Sequence, residues 1–524
     1  MTRAARLLLV TTAIAALAQP GAAQQDATGG EPLSAIDWLS RSVALPDTTA
    51  PGPDTEEPPV ADSAAAPHVS VRPLDSASPD SVGLVGPRVS GLPRHLWSAS
   101  EQDRLIALIE AQPLDTLPAL EALLQLLMVA EADPPTDADG RGALFLARID
   151  RLLEMGALDP AAELLQEAGP DDPERFRRWF DTALLTGSEN AACRAMRNKP
   201  VIAPTWPARI FCLAREGDWQ AAALTLNSAR ALAEVTDAED AMLSRFLDPD
   251  LYEGEPPLEA PERVTPLVYR LREAVGEAMP AASLPRAFSH ADLRPTKAWR
   301  AQIEAAERLA RHGAIEPARL FGVYTARVPA ASGGLWDRAA AIQGFDTALR
   351  AGDTGKVAQT LPPAWEAMRD ARLQSAFAQH YGPDLVGVDL PGKTTRIAQE
   401  MALLGPDYEA AAQPLEAATP RDALLSALAR GVSEDARPDP APDDPIPLAL
   451  LDGFSDRSPP AGLSTMIDEG RLGEAILTAI LLIEQGRTGD TGALADGLAT
   501  LRAVGMEDTA RRVALQLLLL ERSS

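Results

Sequence analysis

The chain has two cysteines, five histidines and few aromatic side chains, the last making up 4% of its 524 residues. Scarce aromatics beside abundant alanine and leucine argue against sheets, whose strands draw on Val, Ile, Tyr and Phe. They argue for helices that approach one another through small side chains. The predicted class is therefore all-α. Lysine is nearly missing, with Lys199, Lys297, Lys356 and Lys393 the whole supply, and a formal net charge of -27 is interrupted by no run of basic residues. A nucleic-acid partner is held by cations that neutralise its phosphates, so this balance argues against one, and against an anionic membrane surface on the same ground. The acidity is read as an aid to solubility. None of His68, His95, His290, His312 and His380 stands in an H-x-x-x-H pair or near a cysteine, so no zinc or haem ligand set is written here. His312, just before Gly313, is read as an imidazole favoured by the negative pole of a helix end. No G-x-S-x-G phrase occurs, which removes the usual nucleophile elbow.

Long apolar runs are also missing. No stretch after the N-terminus approaches the roughly 18 consecutive apolar residues of a spanning helix, so no transmembrane anchor is expected. The N-terminus reads MTRAARLLLVTTAIAALAQPGAAQQ, with Arg3 and Arg6 ahead of an apolar run from Leu7 to Ala18 that is too short to span. Gly21-Ala22-Ala23 follows as a small-residue cleavage site. Residues 1–23 are thus expected to be a signal peptide and the mature chain to be periplasmic or secreted. In an oxidising compartment the even pair Cys193 and Cys212 is expected to form a disulfide, with Pro200, Pro204 and Pro207 turning one helix into an antiparallel neighbour between them.

Residues 24–94 are crowded with Pro, Ser, Asp, Ala and Thr and cannot bury enough apolar surface to offset ordering, so a disordered arm is expected there. It carries one amphipathic island at residues 33–43. Ile36, Leu39 and Val43 fall at helical spacing with Trp38 beside them and Ser34 as N-cap, a pattern suited to docking. Ser98 and Glu101 are spaced as a capping box for a first helix, SASEQDRLIALIEAQP. In PALEALLQLLMVAEADPP apolar residues cover most of the circumference, which predicts burial on more than one side. Breaks at residues 248–262 and 433–445 divide the rest into expected helical blocks at 95–250, 260–432 and 445–524.

One phrase recurs at helix ends. Gly156 is followed by Leu158 and Ala161, Gly217 by Trp219 and Ala222, Gly313 by Ile315 and Ala318, and Gly470 by Leu472 and Ala475. Gly505 with Ala510 and Gly352 with Val357 are weaker copies. Glycine closes a helix in the left-handed conformation, the large residue two positions on plugs the hairpin base, and the small residue lets the next helix approach. The phrase EGDWQAA at Glu216 to Ala222, with Leu226 and Ala229 beyond it, resembles the tetratricopeptide-repeat superfamily. That resemblance implies an elongated α-solenoid offering an extended concave face to a protein partner. The junctions fall 35 to 118 residues apart, where uniform repeats would give about 34. The expected architecture is therefore an irregular stack of helical hairpins behind a disordered arm.

Residues Gly387 to Thr394, GVDLPGKT, fit G-x-x-x-x-G-K-[ST] at every fixed position. A phosphate loop needs a buried strand before it, and only Asp384 to Val386 separate this one from Pro383. An ordinary inter-helix loop is expected, with Thr394 or Thr395 capping RIAQEMALL. IPLALLDG, which imitates the accompanying metal-binding strand, is opened by Pro445 and Pro447 and finds no sheet to join. No nucleotide, cofactor or metal is therefore expected. Some lytic transglycosylases join a helical superhelix to a lysozyme-like domain whose acid lies in a Glu-Ser dipeptide, and this chain has no Glu-Ser. The function expected is a non-catalytic periplasmic scaffold or adaptor for protein partners in the cell envelope. The alternatives are a peptidoglycan hydrolase and a purely structural spacer.

Overall fold

A computed structural model of the protein describes residues 78–413, 419–432 and 444–520. The expected signal peptide and the arm up to residue 77, with its island at Ile36, Trp38, Leu39 and Val43, lie outside the described residues. Every regular element among those described is helical, and an isolated bridge from Val85 to Ala130 is the one β-type pairing.

Counting helices of five residues or more, the chain opens with α1 (Gln102–Glu110), α2 (Pro118–Val129), α3 (Ala143–Met155) and α4 (Leu158–Glu167). It continues through α5 (Pro173–Thr186), α6 (Glu189–Asn198), α7 (Trp206–Arg215), α8 (Trp219–Ala231), α9 (Asp237–Leu247) and α10 (Pro266–Ala274). Next come α11 (Trp299–Ala310), α12 (Pro317–Thr325), α13 (Leu335–Arg350), α14 (Thr354–Asp370), α15 (Gln374–Leu385) and α16 (Lys393–Leu404). The last are α17 (Tyr408–Ala412), α18 (Pro420–Arg430), α19 (Pro445–Gly453), α20 (Ala461–Asp468), α21 (Leu472–Arg487), α22 (Thr491–Ala503) and α23 (Glu507–Leu519). Many successive helices pack as hairpins, most closely α7 on α8, α13 on α14 and α21 on α22. The starts are locally encoded: Asp172, Asp218 and Asp353 accept from first-turn amides, and Thr236 with Glu239 forms a full capping box.

The recurring glycines close helices in the expected way. Gly156 (φ 78°) and Gly217 (φ 90°) take the left-handed conformation, as do Gly313, Gly352, Gly470 and Gly505. Ala161, Ala222, Ala475 and Ala510 are fully buried where the next helix crosses. Two positions differ. Ala318 is exposed because α12 does not begin until Pro317, which shifts the buried register to Leu320 and Phe321. Trp219 does not plug its hairpin base; it is 48% exposed and leans on Phe246 at 6.1 Å. In the last hairpin closeness depends on glycine itself: a Cβ on Gly486 would lie 2.4 Å from that of Leu494, and one on Gly497 2.7 Å from the Ile483 side chain.

Order begins earlier than composition indicates, so the expected arm boundary at 94 is corrected: residues 78–94 belong to the body. Asp80 is fully buried and accepts from the Phe145 amide at 2.8 Å. Arg148, also fully buried, donates to the carbonyls of Met128 (2.8 Å), Ala130 (2.9 Å) and Asp80 (3.2 Å). Gly83 lies so close to the Glu131 backbone that a Cβ would meet its nitrogen at 2.2 Å. The anchor is a buried polar network, which a composition argument about apolar area does not register. The capping box expected for the first helix is likewise absent. α1 starts at Gln102, whose amide is taken by the Asp137 carboxylate at 3.1 Å, while the Ser98 hydroxyl turns back to the His95 carbonyl.

The all-helical stack expected from the repeats is found, and its first two helices also pack on helices near the end of the chain. α1 lies against α21 and α2 against α23. Gln112 donates to the Leu477 carbonyl at 3.1 Å, the Ala119 amide donates to Gln516 at 2.9 Å, and Thr116 donates to Glu484. Trp97, fully buried, covers Gly473 so tightly that a Cβ there would sit 2.4 Å from the indole. The hydrophobic core runs across the expected block boundaries. Residues between Leu92 and Leu165 share one core with residues between Trp299 and Leu519, and Phe176 to Leu271 hold another. Within that second core Cys193 on α6 and Cys212 on α7 are disulfide-bonded, with Cα atoms 5.1 Å apart, as the antiparallel reading requires. Among the described residues no helix is long and apolar enough to cross a membrane.

Candidate functional site: a polar cleft at the hairpin ends

A cleft of about 1040 Å³ opens where helix ends from distant parts of the chain meet. One wall is the α1–α2 loop with the start of α2, a second is the α11–α12 junction, and a third is the α14–α15 junction. Arg487 and Leu520, at the ends of α21 and α23, complete it. The packing of α1 on α21 and of α2 on α23 brings Arg487 and Leu520 to the first of these walls.

The walls are tied to one another by side chains that leave their own helices. His312 Nδ1 lies 2.7 Å from Glu121 Oε1, and Gln125 donates to the Gly313 carbonyl at 3.1 Å, which fixes the α11–α12 junction on α2. Glu121 is 2% exposed, and burial raises its pKa above the usual carboxylate value against the opposing pull of His312. His312 therefore acts as a tie between hairpins, beyond the helix-end role read from the sequence. Arg311 donates to the Ala371 carbonyl at 2.6 Å and to Glu307 at 3.1 Å, closing the end of α14. No hydroxyl is hydrogen-bonded to His312 Nε2 among the described residues, so the pair has the orienting half of a catalytic arrangement with no nucleophile placed on it.

Charge on the lining is mixed. Arg311, Arg369, Arg372 and Arg487 face Asp115, Glu316 and Asp370, a balance unlike the -27 of the whole chain. Arg372 is unusual. It stands at φ 55° in the turn that joins α14 to α15, the slot filled by glycine at the recurring junctions. Its amide bonds the Arg369 carbonyl and that of Leu373 the Met368 carbonyl, the same pattern that Gly156 and Ala157 make at their junction. Gln374, next along, is 7% exposed and lines the cleft. Sequence reasoning missed both, because a junction without glycine leaves no mark in a search for glycine. The signal available was the 118-residue gap between Gly352 and Gly470, inside which a helix must still turn.

The phosphate-loop phrase lies elsewhere, between two helices. α15 precedes Gly387 where the motif needs a strand, and IPLALLDG belongs to helix α19. The expected caps differ too: α16 begins at Lys393 with Gly392 before it, so Thr394 and Thr395 sit inside the first turn and donate back to the Pro391 and Leu390 carbonyls. Among the described residues no cluster of three or more His, Cys, Asp or Glu is placed to hold a metal ion.

His290 locks a different junction. It is 3% exposed with Nε2 2.7 Å from the Gly156 carbonyl, and burial pushes its pKa down to about 4. A neutral ring donates here, whereas the unfolded chain titrates near 6.5. The unfolded state thus binds the proton first, and stability present above pH 6.5 is lost as pH falls toward 4, by about 3 kcal/mol in all. Glu121 and Asp181, the latter pushed up to about 6 by burial, act with the opposite sign. The comparison is therefore wild type against His290→Gln, which retains an N–H donor. Urea unfolding at pH 7 and pH 4 should show the wild type losing about 3 kcal/mol more than the variant, and parallel losses would refute the assignment.

Comparison of the chain with protein-family models, with curated proteins and with solved structures gave no match.

Proposed function

We propose that the chain is an exported, non-catalytic adaptor of the tetratricopeptide-like kind that holds a segment of a protein partner in the cell envelope. The observation that carries this reading is the cleft, whose walls come from the beginning, middle and end of the sequence and are held in place by His312, Glu121, Gln125 and Arg311. Those groups are engaged in bonds between hairpins, which suits a preorganised receptor better than a reacting centre. The N-terminal signal pattern supports export, and the Cys193–Cys212 bond agrees with an oxidising compartment.

The test places a photo-crosslinking amino acid at Gln379, exposed on the cleft, or at Val201, exposed on the surface away from it. Irradiation of cells should give one dominant adduct from position 379 and none of that mass from position 201. Identical adduct patterns at the two positions would remove the reading. Zymography of the purified chain on cell-wall substrate should show no clearing, and clearing would favour the hydrolase instead.

A further inference from the structure

We propose that the cleft takes a carboxylate of a short, mixed-charge peptide, seated between the Arg372 guanidinium and the amide groups that open α15. The inference rests on the adaptor reading and supplies the chemistry by which its cleft would select a partner segment.

Three observations converge on one corner of the cleft. α15 is twelve residues long and starts after Leu373, which offers no capping side chain. The amides of Gln374, Ser375 and Ala376 donate to no group among the described residues. A helix start of this kind carries partial positive charge and directed donors. Gln374, a residue 7% exposed, then adds a side chain that lines the cleft, whose amide still reaches solvent and has no hydrogen bond among the described residues, although its neighbours Ser375 and Gln379 bond each other. Arg372, exposed and without an ion pair among the described residues, stands in the turn immediately before. A non-glycine residue in the left-handed region is disfavoured and persists only where its surroundings hold it.

The chemistry of the ligand follows from the whole lining. A planar guanidinium beside backbone amides matches the two oxygens of a carboxylate. Asp115, Glu316 and Asp370 line the same cleft and would repel a polyanion such as a phosphate, while they suit an ammonium group a few ångströms along the ligand. A volume of about 1040 Å³ accommodates several residues of an extended peptide.

The experiment is calorimetric titration of the full mature chain with three synthetic tetrapeptides of alanine and lysine. One has a free C-terminal carboxylate, one is amidated, and one is amidated but carries a glutamate. Binding of the first or the third, and not of the second, is expected, and the arm that binds names the source of the carboxylate. Arg372→Gly should weaken that binding by about tenfold or more, with a melting temperature equal to or above wild type because glycine relieves the turn. Gln374→Glu should weaken it likewise by placing a carboxylate in the site. The proposal is overturned by equal binding of the plain amidated peptide, by unchanged affinity in both variants, by no binding of any peptide, or by inorganic phosphate competing as well as the peptide does. Should Arg372→Gly still give the position-379 adduct in cells, the adaptor reading stands and this inference falls. Loss of the adduct pattern in wild type with peptide binding intact separates the two the other way.

Discussion

Replacing Arg148 by methionine should destabilise the protein by about 3 to 5 kcal/mol, the scale for removing one member of a buried charged network. The side chain is fully buried, and although burial lowers its pKa to about 10, it remains charged at neutral pH beside the equally buried Asp80. Methionine fills most of the volume and none of the hydrogen bonds. It leaves the carbonyls of Asp80, Met128 and Ala130 without their donor and Asp80 without its cation. Urea unfolding measures the total, and hydrogen exchange locates it: amides of residues 78–92 should exchange faster than those of α13 and α14. A loss under about 1 kcal/mol would show that the three carbonyls find other donors.

A comparable effect is expected at Glu307. It is 3% exposed and receives Tyr324 Oη at 2.6 Å, two nitrogens of Arg338 at 2.8 and 3.0 Å, and Arg311 at 3.1 Å. One carboxylate on α11 thereby holds α12 and α13 and steadies the arginine that closes α14. Its charge and hydrogen bond raise the pKa of Tyr324, adding to the larger effect of burial, and counter burial to raise that of Arg338. Glu307→Gln should cost about 3 to 5 kcal/mol. A cycle with Arg338→Met checks the cause, since the double variant should lose at least about 1 kcal/mol less than the sum of the singles. Strict additivity would mean that Glu307 acts through packing and not through this ion pair.

The parts of this molecule that could be read from residues are those written locally. Helix caps such as Thr236 with Glu239, the glycine at the six recurring left-handed turns and the buried small residue after most of them are properties of neighbouring residues, and the disulfide followed from two cysteines on adjacent helices. The missed features involve residues far apart in the chain. Nothing near Asp80 announces Arg148, and nothing near Trp97 announces Gly473. The cleft was invisible for the same reason, since Asp115, His312, Arg372 and Arg487 lie far apart in the sequence and meet only in the folded chain. Trp219 misled in the other direction: the large residue expected to plug a hairpin base is here left about half in solvent.

That mutual clasp of the two ends sets an order of assembly. In an open array each hairpin needs only its neighbours, so a terminus can fray while the middle survives. Here α1 and α2 lack their final partners until α21 and α23 have been made and delivered some 370 residues later. During synthesis α1 and α2 must wait with the faces that meet α21 and α23 uncovered, and losing those trailing helices would unseat α1 and α2 as well.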